Sequence, residues 1–126
     1  MRRSGASVGL AVTAALLVAA CGGPRPAPVT PGVRRAAVQV TLLEGPPIPP
    51  RPRVAKVQSL SCARSIGEAL DFYETRETLK VEAARYGGNV VGSTMCDEED
   101  PMPHPECWRF LRCTGEVYRI RPGERM

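Results

Sequence analysis

The chain of 126 residues is poor in the side chains that build catalytic sites and large cores, with two Phe, one Trp, three Tyr and a single His. At 5% aromatic content a folded unit has little large apolar surface to bury, which excludes a large enzyme with a deep cofactor pocket. No Gly-x-Ser-x-Gly elbow, phosphate-binding loop or His-Glu-x-x-His pair occurs, and His104 has no evident Ser or Cys partner. Neither an enzyme nor a cofactor is therefore expected. A membrane-spanning run is lacking as well. The apolar stretch at residues 8–20 would rise about 20 Å as a helix, short of a hydrocarbon core of about 30 Å.

That stretch has a different use. Arg2 and Arg3 precede it, and Leu17-Val18-Ala19-Ala20-Cys21 closes it, so residues 1–20 read as an export signal. A cysteine directly after small residues resembles the lipobox of bacterial lipoproteins, whose cysteine is acylated and becomes the new N-terminus. Acyl chains contribute about 0.8 kcal/mol per buried methylene, so a lipid bilayer is the expected partner of Cys21. Gly22 stands where an Asp would favour retention in the inner membrane. Outer-membrane anchoring with a periplasm-facing domain is the expectation.

Nine of the 13 prolines lie between Pro24 and Pro52. Residues 21–35 read as a lipidated, disordered or polyproline-like tether, and residues 45–52 as a long turn. Charge divides along the chain: residues 22–57 carry six basic side chains against Glu44, whereas residues 58–126 carry nine basic against twelve acidic. An acidic C-terminal half offers no basic reading surface, and nucleic-acid binding is not expected.

The domain is expected over residues 36–122, followed by a tail at 123–126. Alternation of Val38, Val40 and Leu42 predicts a strand at 37–43, and residues 54–61 a weaker second one. Phe72, Leu79, Ala83 and Tyr86 mark one stripe of a helix over 71–86, which Gly87 and Gly88 end. Strands are expected at 89–95 and within 108–121, entered near Arg112. That order gives an α+β fold, one main helix packed on a small, mostly antiparallel sheet of about four strands.

With Cys21 assigned to lipid, four cysteines remain: Cys62, Cys96, Cys107 and Cys113. An even count in a small exported domain reads as two disulfides, with three connectivities open. A hairpin would bring Cys96 to Cys113 and leave Cys62 for Cys107. Zinc on Cys96, His104, Cys107 and Cys113 is the competing use, but the paired C-x2-C knuckle is missing and no metal site is expected. The acidic run at residues 97–100 lacks the alternating oxygens of a calcium loop and reads as part of a solvated loop extending to Glu106.

The cysteines and their neighbours resemble the RcsF-type outer-membrane lipoproteins, sensors of the Rcs envelope-stress phosphorelay. The resemblance covers residues 54–120. It is carried by Leu60-Ser61-Cys62, by the helix segment from Arg76 to Gly88 leading into Asn89-Val90-Val91, by Met95-Cys96, and by Cys107-Trp108-Arg109 with Cys113-Thr114-Gly115. It implies an α+β domain behind a lipidated, proline-rich tether, with disulfides pairing Cys62 to Cys107 and Cys96 to Cys113. It also implies contacts with outer-membrane β-barrel proteins and with a signalling regulator. The expected function is thus an envelope stress sensor acting through protein contacts, the alternatives being a metal- or ligand-binding lipoprotein and a structural one.

Overall fold

The computed structural model describes residues 24–100 and 105–124. The export segment, Cys21 and His104 lie outside the described residues. In chain order the elements are α1 (Pro31–Ala37), β1 (Thr41–Leu42), β2 (Ala55–Ala63), α2 (Phe72–Arg85), β3 (Val90–Glu99) and β4 (Arg109–Tyr118). The sheet runs β1-β3-β4-β2, with β1 parallel to β3 and the other pairs antiparallel. This is the α+β arrangement that the strand and helix patterns imply, two disulfides included.

Helix α2 begins where the Asp71 side chain accepts a bond from the Glu74 amide at 2.9 Å, satisfying one of the free donors of a helix start. It ends at Gly87, whose φ of 73° lies in the left-handed region, with the Gly88 amide donating back to Ala83 O. Between these ends Thr75, Leu79, Ala83 and Ala84 are buried. They lie over Val57, Val91, Cys113 and Val117 of the sheet. Burial of Leu79, with none of its surface exposed, is worth about 1.5–3 kcal/mol. Phe72, assigned to this stripe by its spacing, is half exposed at the N-terminal end.

Three expectations require correction. Residues 37–43 do not form one strand. Thr30 caps a helix, its hydroxyl accepting from the Val33 amide at 3.1 Å, and Pro31 opens that helix with its φ already fixed. The strand that follows is two residues long. The tether is correspondingly shorter than residues 21–35, because α1 packs on α2 and Ala27 exchanges bonds with Arg85: the Ala27 amide donates to Arg85 O at 2.8 Å and Arg85 Nε donates to Ala27 O at 2.7 Å. Third, the acidic run is not all loop. β3 continues through Cys96 to Glu99, β4 starts at Arg109 rather than near Arg112, and only residues 100–108 connect them.

The proline-rich stretch at residues 45–52 spans more than a turn. β1 and β2 sit at opposite edges of the sheet, so the chain between them must cross the face that α2 leaves open. Its passage is marked by buried Pro47, which lies over Gly92, where a Cβ would come within 3.1 Å of Pro47 Cδ and 3.0 Å of Tyr118 Cε2. Arg53 then pairs with Glu116 at 3.0 Å, and the Val54 amide reaches Val117 O. Pro cannot donate to a ladder, which suits it to a strap laid over a sheet rather than a strand within one.

Candidate interaction surface

The two disulfides occupy opposite faces of the sheet. Cys96 and Cys113 are directly paired across β3 and β4, their Cα atoms 4.0 Å apart, on the face covered by α2. Cys62, on the other face of β2, bonds Cys107 in the turn before β4, with Cα atoms 5.3 Å apart. The bridges interleave along the chain and enclose 45 and 17 residues of sequence separation. They use three of the four side chains of the hypothetical zinc set, so that set is not assembled. Among the described residues no three His, Cys, Asp or Glu side chains gather as metal ligands. No helix among them is long and apolar enough to cross a membrane.

The sheet face opposite α2 is covered only in part. The strap screens the end holding Gly92, Glu116 and Tyr118, and the far end shows Leu60, Met95 and the Asp97 and Arg112 pair position to solvent. Beside the strap the sheet carries a shallow open groove of ≈ 630 Å³ floored by Gly115 and edged by Lys56, Gln58, Ser93, Thr114 and Glu116. Its charges are opposite and adjacent, and no set of polar groups converges in it as a small-molecule site would require.

Charged side chains organise both ends of the sheet. Tyr118 donates its hydroxyl to Glu116 Oε2 at 2.7 Å, while Arg53 holds the other oxygen. The Tyr118 bond first, and Arg53 second, keep the Glu116 carboxyl below the usual carboxylate range, and the same bond pushes the Tyr118 hydroxyl up. At the hairpin end Arg109 makes two bonds to Glu98, at 2.7 and 2.8 Å, and Arg112 pairs with Glu99 at 3.3 Å. The forked bond to Arg109 lowers the Glu98 carboxyl and raises Arg109. Reading the acidic residues as solvated overlooked these arginines, although residues 98 and 109 flank a short connection and carry opposite charges. In the hairpin register Glu98 stands opposite Leu111, which makes Arg109 its diagonal neighbour on the same face.

Neither the protein-family models nor the curated proteins include a match to this chain.

Proposed function

We propose that the protein is an envelope lipoprotein, anchored through acylated Cys21 in the outer membrane, that reports envelope stress by protein contact in the manner of RcsF-type sensors. The observation that carries this reading is the interleaved pairing of Cys62 with Cys107 and Cys96 with Cys113, on an α+β domain behind a lipobox-like leader. That pairing is the one the resemblance implies. A β-barrel partner would hold the domain, and disturbance of that assembly would free it to meet a regulator upstream of a phosphorelay, a shift between occupied and released populations.

The test is the intact mass and non-reducing peptide map of protein extracted from membranes, followed by in-cell crosslinking. Acyl mass on Cys21 and capture of a β-barrel protein are the expected results. Unmodified Cys21 in a soluble fraction would overturn the anchor, and acylated protein that crosslinks to no envelope protein would overturn the sensor role.

A further inference from the structure

Most of the outer edge of β3 has no strand beside it. β1 covers that edge only at Val90 and Val91. The chain leaving β1 then offers Leu43 O to the Thr94 amide and Gly45 O to the Ser93 amide, each at 2.9 Å, before it turns across the open face. Ser93, with φ 50°, sits at the irregularity where β3 shifts register, and this bulge turns both amides outward.

Beyond Thr94 the direction of the backbone groups follows from the cysteine pair. A Cα separation of 4.0 Å marks Cys96 and Cys113 as a narrow, non-hydrogen-bonded antiparallel pair, so the N–H and C=O of Cys96 point away from β4. The two-residue period aims those of Glu98 the same way. These four groups meet no partner among the described residues.

The side chains along this edge are arranged by face. Asp97 and Glu99 share the open face, and residues 97–100 together carry four acidic groups against Arg109 and Arg112. On the α2 side a groove of ≈ 450 Å³ adjoins the edge, lined by Glu44, Phe72, Arg76, Thr94, Met95 and Cys96. Phe72 is half exposed there, whereas the Met95 side chain stands on the open face. Acidic side chains on an unpaired edge repel a second copy of the same edge. The same charge favours a strand of the opposite sign.

We propose that the edge from Cys96 to Glu99 accepts an extended basic segment of a partner protein as a fifth strand of the sheet. Lys or Arg side chains of the added strand face Asp97 and Glu99, and an apolar residue beside Cys96 enters the groove against Phe72. Backbone bonds to Cys96 and Glu98 supply the attachment, and the alternating pockets supply selectivity. This names the chemistry of the partner in the contact role proposed above and rests on that role.

The test uses the full chain and a synthetic peptide alternating Lys and Val, with a Glu and Val peptide of equal length as control. Amide hydrogen exchange at Cys96 and Glu98 is expected to slow by about tenfold at a Lys and Val peptide concentration about ten times its Kd, and to be unmoved by the control. Glu98→Pro removes an outward N–H while sparing the β4 ladder, and abolishes the effect. Glu98→Gln keeps the N–H and only weakens it. Asp97→Lys with Glu99→Lys, which leaves the backbone intact, reverses the preference to the acidic peptide. Equal binding of both peptides, protection elsewhere on the surface, self-association through this edge, or wild-type binding by a folded Glu98→Pro variant would overturn the proposal. If Glu98→Pro still crosslinks to a β-barrel in cells, the contact role stands and the edge assignment falls.

Discussion

Ser59 of β2 donates its hydroxyl to the carbonyl oxygen of Thr75 in α2 at 2.6 Å, and both residues are buried. A sheet residue thus fixes the height of the helix by a polar bond inside the core. Ser59→Ala removes the donor, and a loss of about 1 kcal/mol is expected in urea unfolding.

The disulfides carry a larger share of the stability. In the chain-entropy model the bridge with 45 residues of separation contributes about 4 kcal/mol and the one with 17 about 3 kcal/mol. Replacing both Cys62 and Cys107 by Ala is therefore expected to lower the denaturation midpoint more than replacing both Cys96 and Cys113. The opposite order in guanidinium unfolding would refute this ranking.

Gly115 lies under α2 with no room for a side chain. A Cβ there would come within 2.2 Å of Val91 Cγ1, and neither strand can move without disturbing the ladder. Gly115→Ala is expected to cost about 1–3 kcal/mol by overpacking. Adding Val91→Ala frees that space, so the double variant should show coupling in a thermal double-mutant cycle, with a loss smaller than the sum of the two singles.

The Tyr118 and Glu116 bond makes stability depend on pH at both extremes. The Glu116 carboxyl is lowered on folding, so its contribution is present above the normal carboxylate range and is lost as pH falls through the depressed value. The Tyr118 hydroxyl is raised, so its contribution is present below the ordinary tyrosine value of about 10 and is lost as pH rises through the elevated one. Tyr118→Phe is expected to remove the alkaline limb and to shrink the acidic one, with the remainder held by Arg53. Thermal melts from acid to alkaline pH would read this directly.

The residues that declared themselves in the sequence were those with strong local signals. Asp71 and Gly87 bracket α2 because a side-chain acceptor starts a helix and a left-handed glycine ends one. The cysteine pairing was legible through the hairpin and the resemblance. Thr30 and Pro31 open α1 by an equally local signal, but they lie in a proline-rich stretch whose composition reads as a tether, and Val38, Val40 and Leu42 alternate in the adjoining residues. Phe72 shares the spacing of Leu79 and Ala83 yet is half exposed, because it lines the open groove beside Thr94 and Cys96 at the edge of the sheet and not the core. The strap had no local signal at all, since the path of residues 45–52 depends on β1 and β2 lying at opposite edges.

The bonds between Ala27 and Arg85 set the length of a leash. Under the proposed anchoring at Cys21, five residues separate the anchor from Ala27, a reach of about 20 Å when fully extended, rather than the fourteen residues of a tether running to Arg35. The attachment point is the C-terminal end of α2, while the groove at Phe72 marks the other end of that helix, about 20 Å further along its axis. An anchored molecule would thus hold its α1 end closer to the bilayer than its hairpin end, and contacts made by the hairpin would fall on the side away from the lipid.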